Sequence, residues 1–238
     1  MEFLKETVNK NNLDIKVGDN TNRDNVISPE IVVKIKDFYI DAFKDDLADG
    51  FFDEAGIDKK VEGEKSFYLD ILNSVDKAKE ENEGKEIITL FDLDETLVRN
   101  KWKRDNTIAT IIRPSALILL DAINKKNASC GFLTSRFNIK EQLDSNLKEF
   151  KSLINETYLL STKGFYIEDE EKQQIKEKLP DDLRKPFNDG DYQKLIYFNN
   201  LIKNKENTDK VFIAIDDFIW PSLTKYGKSL EDNEMFTV

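Results

Sequence analysis

Four places in the chain combine residue types that can do chemistry together. Asp92-Leu93-Asp94-Glu95-Thr96 sets two carboxylates two positions apart, and Thr134-Ser135-Arg136 offers two hydroxyls and a guanidinium. Lys194 is a cation opening an apolar helical stretch, and Asp216-Asp217 is a second acid pair. On an extended chain, residues two apart point to the same side. Asp92 can therefore attack an electrophile while Asp94 protonates the leaving oxygen and later takes a proton from water. Hydroxyls and cations are what charged phosphoryl oxygens need as partners. Clustered aspartates supply oxygen ligands for a hard divalent ion. The expected chemistry is phosphoryl transfer, with Asp92 as nucleophile and Asp94 as general acid–base. Thr134 or its rival Ser135, together with Lys194, binds phosphate. Asp92, Asp94 (through its backbone carbonyl), Asp216 and Asp217 surround Mg²⁺. Alternatives stay open at two further points: Asp217 could instead hold Lys194 or cap a turn, and Lys185 and Lys163 rival Lys194 as the cation.

Composition removes most competing mechanisms. The chain has 238 residues, no histidine and one cysteine. That excludes a Ser-His-Asp triad, a Cys-His pair, an HExxH zinc helix, a Cys₄ zinc site and an internal disulfide. Chemistry falls to carboxylates, hydroxyls, Lys, Arg or Cys130, and any metal is a hard ion held by oxygen. With 36 basic and 47 acidic residues the formal charge is −11, which argues against nucleic acid and anionic membranes as partners. No apolar run is long enough to span a bilayer, and the opening MEFLKETVNKNNLDI has no signal-peptide stretch, so the reading is cytoplasmic. Cys130 and Arg136 show the C-x₅-R spacing of cysteine-dependent tyrosine phosphatases. The intervening Gly131-Phe132-Leu133 reads as buried strand rather than an anion cradle, so Cys130 reads as a structural thiol.

The hydrophobic pattern shows what must position these groups. Apolar runs at 86–91, 128–134, 157–161 and 211–215 read as buried strands. Helical patterns at 115–124, 139–154 and 192–203 alternate with them. This alternation predicts a parallel sheet with right-handed crossovers, whose ligand site lies at the carboxyl ends of the strands. Asp92, Thr134 and Asp216 each sit at such an end, and Lys194 opens the helix feeding the last strand. Residues 165–191 read as polar and irregular, with a short helix near 170–178. The expected fold is an α/β, Rossmann-like parallel sheet flanked by helices over residues 86–238. Residues 1–85 form a mainly helical N-terminal extension. Within it, 1–27 reads as loop, one helix starts at Ser28-Pro29-Glu30 and another covers 65–79.

FDLDETLV at 91–98 resembles the first motif of the haloacid dehalogenase superfamily, a hydrophobic strand running into DxDxT. Thr134 is similar to that superfamily's second motif, Lys194 to its third, and Asp216-Asp217 to the paired-acid form of its fourth. The likeness spans about residues 86–221. It implies that superfamily's fold with little or no cap domain, and a Mg²⁺-dependent phosphatase forming an aspartyl-phosphate. Locally the chain resembles the small phosphoprotein phosphatases that act on the RNA polymerase tail. Those also carry DLDETLV, then Arg-Pro before a helix, here Arg113-Pro114; they have Asn where Asp217 stands. The implied substrate is a phosphorylated protein or peptide. A helix and a strand must fit between the first two motifs, which confines a lid to about residues 98–112, where Trp102 could present its ring. An open site admits phosphotyrosine as readily as phosphoserine. A small phosphorylated metabolite, or a non-catalytic phosphopeptide-binding module, are the competing expectations.

Overall fold

The structure, a computed structural model, describes residues 27–48, 53–102, 108–164, 168–170, 173, 177 and 189–216. Apart from Ile27, the loop expected at 1–27 lies outside the described residues, as do Lys185, Asp217 and most of the helix expected near 170–178. The chain forms two compact units, Met1–Leu69 and Asp70–Val238.

In the first unit, α1 (Pro29–Ala42) follows Ser28, which is extended, and has Pro29 in its first turn. Proline's fixed φ and missing N–H suit that position. Ile31, Ile35 and Tyr39 are buried at helical spacing. After the short α2 (Lys44–Ala48) comes α3 (Glu54–Glu81), a 28-residue helix whose residues up to Leu69 belong to this unit and the rest to the second. It starts well before the expected residue 65, because Ile57, Val61 and Glu64 carry its buried stripe back through Gly63. A Cβ at Gly63 would meet open space, so that glycine weakens the helix without breaking it. The Tyr39 hydroxyl of α1 donates to Glu64 Oε2 on α3 at 2.6 Å, satisfying a buried carboxylate.

The second unit is built on a four-stranded sheet in the order β5-β4-β1-β6, all parallel. The strands are β1 (Glu86–Phe91), β4 (Ser129–Thr134), β5 (Leu159–Ser161) and β6 (Lys210–Ile215). Between β1 and β4 lie β2 (Val98–Trp102), β3 (Ile108–Ile112) and α4 (Pro114–Lys125). The β2–β3 pair is an antiparallel hairpin and takes up the stretch left for a lid. Two further helices, α5 (Ile139–Leu143) and α6 (Asp189–Lys203), complete a parallel sheet flanked by helices, an α/β architecture compatible with a Rossmann-like fold. No helix among the described residues is long and apolar enough to cross a membrane.

The alternation of strand side chains assigns the faces. Ile88 and Leu90 of β1, Leu133 of β4 and Phe212 of β6 form one buried face, and Tyr197, Phe198, Leu201 and Ile202 of α6 pack on it. Cys130 and Phe132 point the other way: the Cys130 thiol donates to the Leu120 carbonyl of α4 at 3.7 Å, and Phe132 meets Phe150 edge-on. Helix α5 stops at Leu143, far short of the expected residue 154. The cause is local. Asp144-Ser145-Asn146 follow, residues whose side chains compete for the backbone, and the Ser145 hydroxyl donates back to the Glu141 carbonyl at 2.8 Å.

Candidate active site

The sheet register sets two carboxylates side by side. Along β1 and β6, Ile88 pairs with Phe212, Leu90 with Ala214 and Phe91 with Ile215. One step on come Asp92 and Asp216, on the face that α6 covers. The Asp92 amide donates to the Ile215 carbonyl at 2.8 Å and extends the ladder to the nucleophile candidate itself. The α6 stripe Leu201, Phe198, Tyr197 continues back one turn to Lys194. Its ammonium lies 3.0 Å from Asp92 Oδ1 and donates to Asp216 Oδ2 at 2.8 Å. All three side chains are 8% exposed or less.

Such burial decides the charge states. Burial pushes the Asp92 carboxyl up to about 7; Lys194 opposes that rise and the Asp216 charge adds to it. Burial alone would lower Lys194, but the charges of Asp92 and Asp216 outweigh it and hold the amine above its ordinary value. Lys194 is therefore an ammonium at neutral pH, shared by two carboxylates.

Asp94 belongs to a second, connected cluster. Arg136 grips it with both arms of its fork, Nε to Oδ2 at 3.0 Å and Nη2 to Oδ1 at 2.5 Å, and the Asn100 amide donates to Oδ1. Burial would raise the Asp94 carboxyl. The hydrogen bonds from Arg136 and Asn100, with the charges of Arg136 and Lys194, overcome that and leave it below the ordinary value. Arg136 is braced in turn, its Nη1 donating to Gln142 Oε1 at 2.9 Å.

The β2–β3 hairpin delivers Asn100, which pairs across it with Thr110 and accepts from the Thr110 hydroxyl at 3.2 Å. The turn feeding the hairpin is tight. Glu95 has φ +60, its carbonyl accepts from Arg113 Nη2 at 2.7 Å, and its carboxylate accepts from the Asn100 backbone N–H at 3.2 Å. A left-handed glutamate is uncommon, and these bonds hold it there.

Thr134 ends β4 fully buried, and its hydroxyl accepts from the Arg136 amide at 3.2 Å, which leaves its own proton to give. Ser135, half-buried, occupies the same turn. Lys163, a rival for the cation's role, instead sets its ammonium 4.8 Å from the Phe137 ring centre. The side chain of Trp102 lies outside the described residues. Cys130 is fully buried, and burial pushes its thiol well above the ordinary range. The sequence reading missed Asn100 and Gln142, and it offered Arg136 as a substrate contact rather than as the grip on Asp94. The only local signal was a polar residue, Asn100, inside a short strand.

Asp92, Lys194 and Asp216 are thus brought together, with Asp94 beside them on Arg136. Among the described residues no group of three or more acidic, Cys or His side chains converges as a metal cage. The donor set still suits a hard ion. Asp92 and Asp216 offer only oxygens, and Asp92 Oδ1, at ion-pair distance from Lys194 but not aligned for a hydrogen bond, is buried without a hydrogen-bond donor. Compared with known proteins, the chain matches no family model and no curated protein sequence.

Proposed function

We propose that the protein is a Mg²⁺-dependent phosphomonoester hydrolase of the haloacid dehalogenase type, acting on phosphorylated proteins or peptides through an aspartyl-phosphate on Asp92. The observation that carries this reading is the buried Asp92–Lys194–Asp216 cluster at the carboxyl end of the central strand. An ammonium fixed among carboxylates serves an anionic, highly charged substrate, and the strand end is where such a sheet binds ligands. An Asp92 oxygen attacks phosphorus, the bond from phosphorus to the leaving oxygen breaks, and Asp94 gives that oxygen its proton. Water then attacks phosphorus, gives a proton to Asp94 and releases inorganic phosphate from Asp92. Asp94 as held by Arg136 is charged, the form that the second step needs. An arriving phosphate dianion favours the protonated form by like-charge repulsion, as the first step needs. Thr134 or Ser135 and Lys194 bind phosphoryl oxygens. Asp92 and Asp216, with the Asp94 carbonyl, would hold Mg²⁺, which when bound neutralises substrate charge. Between Asp94 and Thr134 the chain is spent on the hairpin, α4 and β4, which supports a site open enough for a protein side chain.

The test is turnover of p-nitrophenyl phosphate by the wild type and Asp92→Asn, with Mg²⁺ and after EDTA, with acid trapping of phospho-enzyme. Hydrolysis that needs both Mg²⁺ and Asp92 is expected. No turnover of any phosphomonoester, or full activity in Asp92→Asn, overturns the reading.

A further inference from the structure

Three large apolar side chains are exposed among the described residues, and Phe137 is the one in the sheet-bearing unit, 61% exposed. Its position is not casual. It follows Arg136, the residue that grips Asp94, and stands three positions past Thr134 at the carboxyl end of β4. Three residues span at most about 10 Å, which keeps the Phe137 backbone near the strand end that carries the proposed phosphate site.

The backbone carrying it is pinned from several directions. The Arg136 amide donates to the Thr134 hydroxyl at 3.2 Å, and the Ser161 hydroxyl at the end of β5 donates to the Arg136 carbonyl at 2.7 Å. Gln142 Nε2 donates to the Phe137 carbonyl at 2.8 Å. That same Gln142 accepts from Arg136, so one amide fixes both the residue on Asp94 and the backbone of the exposed aromatic. Asn138, next along, takes the left-handed φ of +50 that turns the chain into α5. On the facing strand end, the Lys163 amide donates to the Ser161 hydroxyl at 3.3 Å, and its ammonium stands 4.8 Å from the ring centre. The fold thus pins the backbone that carries an exposed aromatic ring, one residue past the grip on Asp94, with a cation against the ring.

We infer that Phe137, oriented by Lys163, is a specificity-determining residue that stacks on a flat aromatic group in the leaving half of the substrate. The inference rests on the phosphatase reading and deepens it: the substrates are phosphomonoesters with an aromatic ring close to phosphorus. Two sources share that chemistry, the phosphotyrosine side chain and the base of a nucleoside monophosphate. A ring–ring contact in such a place adds attraction beyond the area it buries, and a cation over the ring adds to it. An alkyl phosphate such as phosphoserine gains nothing from it.

The experiment compares kcat/KM for a phosphotyrosine peptide, the same peptide with phosphoserine, and a nucleoside monophosphate. The enzymes are wild type, Phe137→Ala, Phe137→Trp and Lys163→Met, their folding checked by circular dichroism. Phe137→Ala is expected to lose about tenfold on the aromatic substrates while phosphoserine hydrolysis stays within about twofold, and Phe137→Trp restores the loss. Lys163→Met loses a smaller part of it. Loss on the peptide alone assigns phosphotyrosine, and loss on the nucleotide alone assigns the base. Equal loss on phosphoserine, or no loss on either aromatic substrate, overturns the inference while hydrolysis itself leaves the phosphatase reading standing. If the wild type hydrolyses neither these three nor p-nitrophenyl phosphate, the phosphatase reading falls. Fluorescence anisotropy of a labelled phosphotyrosine peptide then decides: binding weakened about tenfold by Phe137→Ala keeps the aromatic contact, and no binding or unchanged binding overturns it.

Discussion

Lys194 compensates two carboxylates at once. Its removal leaves Asp92 and Asp216 buried against each other with no positive charge between them. Losing one partner of a buried ion pair costs about 3–5 kcal/mol, much more than an exposed pair is worth. Lys194→Met is expected to lose stability of that order in urea unfolding well above pH 7, where Asp92 is charged, and Asp92→Asn added to it should recover part of the loss there by removing one of the repelling charges. Asp92→Asn alone should keep its fold by circular dichroism and retain less than about a hundredth of the activity, because an amide cannot attack phosphorus. Cys130 makes the opposite case. Its buried thiol, shifted away from the thiolate form, should resist iodoacetamide in the native protein and label rapidly in concentrated urea, and Cys130→Ser should keep most activity. Fast native labelling, or loss of turnover in a folded Cys130→Ser, would restore the thiol as a candidate nucleophile.

At the scale of elements, β4 depends on a residue with no side chain. A Cβ at Gly131 would sit 2.5 Å from Tyr158 Cβ and 2.6 Å from the Tyr158 carbonyl oxygen, so β4 and the turn before β5 approach too closely for alanine. Gly131→Ala should destabilise by about 1–3 kcal/mol or more, since the obstacle includes backbone that cannot rotate away; an unchanged urea midpoint would show that the turn shifts freely. The β2–β3 hairpin carries a different dependence. Asn100→Ala removes a donor from Asp94 without touching the four-stranded sheet, and should lower kcat more than it raises KM. These elements differ in how far the sequence revealed them. The four strands were legible because parallel strands covered on both faces are largely unbroken apolar runs, and Asp92 and Asp216 were legible because they end two of them. The hairpin was not, because Val98-Arg99-Asn100-Lys101-Trp102 is short and mostly polar and takes its shape from pairing with β3. The Arg136 grip on Asp94 spans 42 positions, and no local period encodes a contact of that range. The early end of α5 was written in Asp144-Ser145-Asn146, but the apolar spacing beyond it outweighed those residues.

At the scale of the molecule, a formal charge of −11 opposes every phosphorylated substrate before it reaches Lys194. The screening length shrinks from about 30 Å at 0.01 M salt to about 8 Å at 0.15 M. For a phosphopeptide of net negative charge, kcat/KM should therefore rise severalfold over that range, whereas a peptide with flanking lysines should show the reverse. The same direction for both peptides would mean that local charge at the rim, not the charge of the whole, governs approach.

The amide of Asp92 is itself a rung of the central ladder, bonded to the Ile215 carbonyl at 2.8 Å. Strand β1 has partners on both sides, so this N–H meets deuterium only when β1 and β6 part, an opening among the rarest in such a domain. The carboxylate proposed to react is thus expected on one of the slowest-exchanging strands among the described residues, with the hairpin beside it opening sooner. Deuterium uptake at Asp92 should track that of Ile88 and Leu90 and lag behind that of Asn100. Gentle heating would then loosen what the site recognises well before it disturbs the atom proposed to react.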